Sequence, residues 1–226
     1  MENRTALVFG ATGLVGRHLV EELIRSMRYS TVKVFTRRPL NIEHIKVVEH
    51  LADIRDVPSY SDQMRGDDVY IAIGTTLRKA GSVSQEEETD RHMVVRIASE
   101  AKKRGAGRIA VVSSLGADAS SKNFYRRIKG EMENDIKKLK YNRTVIARPS
   151  LLLGKREDFR FFEEVAKVLA IPLGFILKGK LSIYRAIHAR TVARAMIWLT
   201  GTEENRSIYL SDELQQLGRE ENAKVN

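Results

Sequence analysis

Gly10-Ala11-Thr12-Gly13-Leu14-Val15-Gly16 places glycines at three-residue intervals straight after the apolar run Ala6-Leu7-Val8-Phe9. A backbone that bends sharply, approaches a pyrophosphate and then packs a helix on a strand needs glycine at each of those points. Val15, Leu19, Leu23 and Met27 follow at helical spacing, so the turn opens a helix whose first amides face the phosphates. At mid-chain, Tyr125-Arg126-Arg127-Ile128-Lys129 sets a phenol and an ammonium on one face of a helix. A free tyrosine has a pKa near ~10, and a neighbouring ammonium favours the phenolate that proton transfer requires.

The tyrosine-lysine spacing means little without its position. Tyr29-Ser30-Thr31-Val32-Lys33 repeats it, in a chain with seven tyrosines. That copy straddles the end of the first helix and the second strand. The copy at Tyr125 opens the helix after the fifth strand, downstream of Ser113-Ser114.

The elements that must position these residues alternate along the chain. Strands are expected at Ala6–Phe9, Thr31–Phe35, Ile45–Val48, Asp68–Ile73, Arg108–Val112, Thr144–Ala147 and Ser207–Leu210. A helix begins where Ser84 and Glu87 have capping-box spacing, with Met93, Val94, Ile97, Ala98 and Ala101 as its buried stripe. Further helices are expected at 124–139, 159–169 and 192–199, with a loop at 171–180 and a polar tail from Arg219. Apolar strands alternating with helices define an α/β fold, a doubly wound parallel sheet of the Rossmann type. We expect a single domain over residues 1–226, in which 150–226 form a small elaboration walling the substrate side.

In an open parallel sheet, ligands sit outside the carboxyl ends of the strands. That edge gathers the glycine turn, Thr36-Arg37-Arg38, Asp53-Ile54, Ile73-Gly74-Thr75-Thr76, Ser113-Ser114 and Arg148-Pro149 as cofactor-side candidates. NAD-specific sites usually place an acidic residue after the second strand to accept from the ribose hydroxyls. Arg37 and Arg38 stand there instead, and a guanidinium can pair bidentately with a 2′-phosphate. Arg17 adds charge on the same side. NADP(H) is therefore expected in preference to NAD(H), with Arg37 carrying more of the difference than Arg38.

The glycine turn, Gly74-Thr75-Thr76, Ser113-Ser114-Leu115-Gly116-Ala117-Asp118, Tyr125 to Lys129 with Gly130-Glu131, and Arg148-Pro149 together resemble the short-chain dehydrogenase/reductases. The similarity is greater to their atypical members, in the Tat-interacting protein oxidoreductase branch, and it covers roughly residues 4 to 155. The resemblance implies roles. Tyr125 would exchange a proton with a carbonyl or alcohol oxygen, Lys129 would support it and hold the nicotinamide ribose, and Ser114 rather than Ser113 would hydrogen-bond the substrate oxygen. Family members use a helix asparagine in the proton relay; the nearest residue here is Asp90, a departure from the pattern.

Composition narrows the field. A 42% hydrophobic content suits a globular core, and without cysteine there is no disulfide framework and no thiolate chemistry. No apolar run approaches the ~20 residues that span a bilayer, and the chain opens on a strand without signal-peptide layout, so a cytoplasmic protein is expected. The five histidines lack metal-ligand spacing, and no metal is assigned. The formal charge of +10 could attract nucleic acid or anionic lipid, but it reads better as solvated helix ends around a phosphate-binding pocket. The expected partner is a small carbonyl or alcohol substrate, with neither nucleic acid nor membrane, and homodimerisation is left open. The rival readings are a non-catalytic NADP(H)-binding regulator or redox sensor and, more distantly, a nucleic-acid-binding protein.

Overall fold

The computed structural model describes residues 3–75, 81–154 and 179–225. Its strands are β1 (Arg4–Phe9), β2 (Tyr29–Thr36), β3 (Val47–Leu51), β4 (Asp68–Ile71), β5 (Arg108–Val112), β6 (Arg143–Arg148), β7 (Leu152–Leu153), β8 (Ile187–His188) and β9 (Ile208–Leu210). Helices are α1 (Leu14–Arg25), α2 (Val57–Tyr60), α3 (Val83–Glu87), α4 (Met93–Lys103), α5 (Phe124–Lys138), α6 (Ala189–Gly201) and α7 (Ser211–Val225).

The main sheet runs β3-β2-β1-β4-β5-β6-β9, and every neighbouring pair is parallel. Strand order reverses between β1 and β4, which opens a crevice at their carboxyl ends. Alternate side chains explain why the strands read as unbroken apolar runs. Ala6, Val8, Val32 and Val34 pack with Leu19 and Leu23 of α1 and Val192 and Met196 of α6. Leu7, Phe9, Val69, Ile71 and Ile109 pack on the other side with Ile97 of α4 and Met132 and Ile136 of α5. Each Val, Leu, Ile, Phe or Met among them contributes about 1.5–3 kcal/mol on full burial, so both layers are held firmly against the sheet.

The opposite edge of the sheet is closed by polar contacts. Asp68, wholly buried, takes Arg4 and Arg28 at 2.5 Å each and the Tyr29 hydroxyl at 2.5 Å. Tyr29 also meets the Tyr70 hydroxyl at 2.6 Å, and burial pushes its phenol well above the usual tyrosine range. Lys33 gives its ammonium to the carbonyls of Gln63 and Arg65 at 3.1 and 3.0 Å. The second tyrosine-lysine pair thus serves structure, away from the crevice.

Several elements differ from the sequence reading. β3 starts at Val47 because Lys46 donates to the Ile24 and Ser26 carbonyls at the end of α1, leaving Ile45 98% exposed outside the strand. The helix start after β4 is capped by Ser82, which accepts from the Gln85 amide at 3.2 Å, rather than by Ser84. The residues from Arg219 continue α7 to Val225, where a polar tail was expected. β7 and β8 pair in a separate parallel ribbon too short to carry a sequence pattern. The helix expected at 159–169 and most of the loop at 171–180 lie outside the described residues.

Candidate functional site

The glycine turn forms the floor of the crevice. Gly10 adopts φ +85°, a conformation open to glycine, and its carbonyl accepts from the Gly13 amide at 2.9 Å. A Cβ on Gly10 would stand 2.5 Å from the Ala72 carbonyl oxygen, and one on Gly16 would stand 2.0 Å from that of Gly10. α1 therefore packs against the β1–β4 crevice only with these glycines. Ala11 and Val15 are buried in the turn, Thr12 is exposed, and Leu14 packs at the core's margin. Gly13 caps α1 without a side-chain bond. The first helical amides are left to an anionic group, which suits a pyrophosphate.

At the neighbouring corner, Thr36 donates its hydroxyl to the Arg38 carbonyl at 2.9 Å, and Arg37 and Arg38 stand exposed beyond it. Asp53 is held by Arg55 at 2.6 Å, and the Ile54 carbonyl accepts from the Tyr60 hydroxyl at 2.8 Å. β4 ends at Ile71, two residues short of the expected Ile73, which is buried in the loop that follows, with Gly74 exposed beside it; Thr76 lies outside the described residues.

The chemical centre lies below Gly74. Asn123 starts α5 by accepting from the Arg126 amide at 3.1 Å, which puts Tyr125 in the first turn and Lys129 one turn deeper. Lys129 is buried, and its ammonium pairs with Asp90 Oδ1 at 2.5 Å. A π-helical turn over Glu88–His92, between α3 and α4, carries Asp90 inward. The other Asp90 oxygen accepts from the Thr75 amide at 2.8 Å. Burial works against the Lys129 ammonium, but Asp90, with help from Tyr125 and Glu133, holds it above the ordinary lysine range. The ammonium lies 5.8 Å from the centroid of the Tyr125 ring, and that residue is 38% exposed. A fixed cation is thus set beside an accessible phenol.

The two adjacent serines diverge. Ser113 donates to the buried carboxylate of Glu133 at 2.5 Å, and Arg148 grips the same carboxylate at 2.8 and 2.5 Å. Pro149 offers its carbonyl to the Leu115 amide at 3.0 Å. Ser113 and Arg148, placed among the cofactor-side candidates by sequence, have their polar groups committed to this clamp. Ser114 Oγ is buried with no hydrogen-bond partner among the described residues, an orphaned hydroxyl that suits a ligand oxygen. Sequence reasoning missed Glu133 and Arg55. Glu133 was detectable as the next step of the Tyr125, Lys129 spacing along one helix face; Arg55 carried no signal. Among the described residues no cluster could hold a metal ion, and His188 is exposed at the end of β8.

Residues 10–165 match the family model described as NAD(P)H-binding. With the crevice, the glycine turn and the relatives below, the chain belongs to the NAD(P)H-binding family, as an atypical short-chain dehydrogenase/reductase of the Tat-interacting protein branch. It is 33% identical to Protein HTATIP2 of Rattus norvegicus over 201 residues, covering 87% of this chain and 81% of that one. It is 30% identical to the mitochondrial protein FMP52 of Coccidioides immitis, over 98% of this chain and 99% of that protein. Among solved structures, MoeE5 in complex with UDP-glucose and NAD superposes with a TM-score of 0.68 at 17% identity, over 97% of this chain and 82% of that one. A short chain dehydrogenase family protein from Francisella tularensis gives 0.65 at 16% identity, over 89% and 92%. These likenesses agree with the doubly wound fold. No helix among the described residues is long and apolar enough to cross a membrane.

Proposed function

We propose that this protein is an NADP(H)-dependent oxidoreductase acting on a small carbonyl or alcohol, with Tyr125 as the general acid or base. The observation that carries the reading is the buried Lys129–Asp90 pair beneath Gly74, with the Tyr125 ring on its open side. The nicotinamide, when bound, supplies or accepts the hydride at the substrate carbon. Ser114 directs its unpartnered hydroxyl to the substrate oxygen. Tyr125 gives its phenolic proton to that oxygen as the carbonyl becomes an alcohol, and takes it back in the reverse direction. Lys129 stabilises the phenolate left behind, and the exposure of Tyr125 lets solvent restore its proton. Arg37 would pair with the 2′-phosphate of NADP(H), with Arg38 and Arg17 secondary to it. A cytoplasmic location belongs to the same reading, and the mitochondrial label on the fungal relatives makes subcellular fractionation its check.

A carbonyl panel followed by NADPH absorbance, run on the parent and on Tyr125→Phe, tests the chemistry. Removing a positioned acid costs on the order of 10²-fold or more in rate, while NADPH affinity should stay nearly unchanged. Equal turnover in the two proteins removes the proton-donor role. Intact cofactor binding with no turnover of any substrate by the parent favours the non-catalytic regulator. Calorimetric titration tests the cofactor, with NADPH expected to bind more tightly than NADH.

A further inference from the structure

A second recess, of about 320 Å³, is lined by Ser182, Arg185, Asp212, Gln215, Gln216 and Arg219. Asp212 stands two residues after β9, and the Arg185 carbonyl accepts from the hydroxyl of Ser150, two residues after β6. The recess therefore opens at the carboxyl edge of the sheet, where ligands of this fold class sit, and its size suits a small molecule. Its cations are poorly matched. Only the backbone of Arg185 is tied, through Ser150, Ser182 and Ser211, and its exposed guanidinium pairs with nothing among the described residues. Gln215, with its amide oxygen turned inward, accepts from Arg219 at 2.7 and 2.9 Å and steadies it one turn along α7. The one carboxylate in the lining, Asp212, accepts from the Ser182 hydroxyl at 2.8 Å and the Glu213 amide at 3.0 Å.

The recess is in line with the orphaned serine. The Leu115 amide donates to the Pro149 carbonyl at 3.0 Å, and the Ser150 and Ser211 hydroxyls meet at 2.9 Å. Ser114 thus stands in the row that ends at the recess, two strand spacings or roughly 10 Å away. We propose that Arg185 and Arg219 bind an anionic group, carboxylate or phosphate, on the substrate, roughly 10 Å from its carbonyl or alcohol carbon. A guanidinium fork matches either anion, and these residues select among substrates without touching the reacting atoms. The inference rests on the oxidoreductase reading above for its substrate, whereas anion binding in the recess needs no turnover.

Reduction of 8-oxooctanoate and of octanal by NADPH, measured on the full chain, compares substrates of that length with and without the charge. The parent should show the lower KM for the acid. Arg185→Gln should cut this preference about tenfold through KM with little change in kcat for the acid, and Arg219→Gln should cut it less. Lys103→Gln, which removes an equal charge from the exposed end of α4, should leave the preference within about twofold of the parent. Calorimetric titration of suberate and of octyl phosphate into the parent and Arg185→Gln reads binding alone, and the tighter probe identifies the anion. No preference for the acid in a parent that reduces both substrates overturns the recess and leaves the oxidoreductase reading standing. An Arg185→Gln loss equal for acid and octanal, or a Lys103→Gln loss as large, also overturns it. Probe binding that weakens about tenfold in Arg185→Gln, in a parent that reduces neither substrate, supports the recess and counts against the oxidoreductase. Neither binding nor reduction overturns both.

Discussion

Lys129 Nζ stands 2.5 Å from Asp90 Oδ1, both side chains are buried, and the second Asp90 oxygen ties the Thr75 amide after β4. One ion pair thus joins the tyrosine-lysine helix, the π-helical turn and the crevice rim. Asp90→Ala would leave an uncompensated buried ammonium, which costs roughly 3–5 kcal/mol. Denaturant unfolding should show that loss, and Asp90→Asn, which keeps an acceptor, should lose less. Equal stability of Asp90→Ala and the parent would mean that Lys129 finds water or another partner.

Ser113 and Ser114 should separate stability from turnover. Ser113→Ala removes a donor to the buried Glu133 carboxylate and should cost about 1–3 kcal/mol. Ser114→Ala removes a hydroxyl that has no hydrogen-bond partner among the described residues, so the unfolding midpoint should barely move. Its turnover should fall on the order of 10-fold or more, because a positioned donor to the reacting oxygen is gone. The opposite pattern would exchange their roles.

Gly16→Ala places a methyl group 2.0 Å from the Gly10 carbonyl oxygen and 2.6 Å from its carbon, both rigid backbone atoms. The turn must open, and NADPH affinity should fall at least about tenfold as the phosphate cradle is lost. Gly107→Ala is the control, since a Cβ there meets only Asn142 Nδ2 at 3.6 Å. Similar affinities for both variants would place the phosphates elsewhere.

His50 stacks on Phe35 with ring centroids 4.9 Å apart, and its Nε2 is buried without a partner among the described residues. Burial, with Lys33 adding to it, depresses its pKa below the usual value of 6.5. The unfolded chain therefore binds the proton more readily, so stability falls as pH drops below about 6.5 and levels off below the folded pKa. Thermal unfolding from pH 7 to 5 should show a steeper decline for the parent than for His50→Phe, which keeps the stack without a titrating group. Parallel curves would mean that His50 is solvated in the fold.

The glycine turn, the alternation of strand and helix and the helical position of Tyr125 and Lys129 were legible because each rests on local periodicity. The C-terminal part was less so. The strand expected at Ser207–Leu210 is present as β9, but β7 and β8 are two residues long and hold their place by pairing with each other across a long stretch of chain, while α7 lacks the strong apolar stripe that would have extended it past Arg219.

The sequence by itself determined that a phosphate turn opens the first helix and that a phenol and an ammonium share a later one, since backbone sterics and helical spacing act over a few residues. Tertiary structure decided which partners complete them. Two neighbouring serines at the end of β5 are equivalent in sequence, and only the packing of α5 and β6 commits Ser113 to Glu133 and leaves Ser114 free. Asp90 meets Lys129 because the π-helical turn and α5 pack on the same face of the sheet, and the segments after β2 and β3 come together because those strands pair. Charge pairing acts through space at a few ångströms, and chain distance carries no record of it.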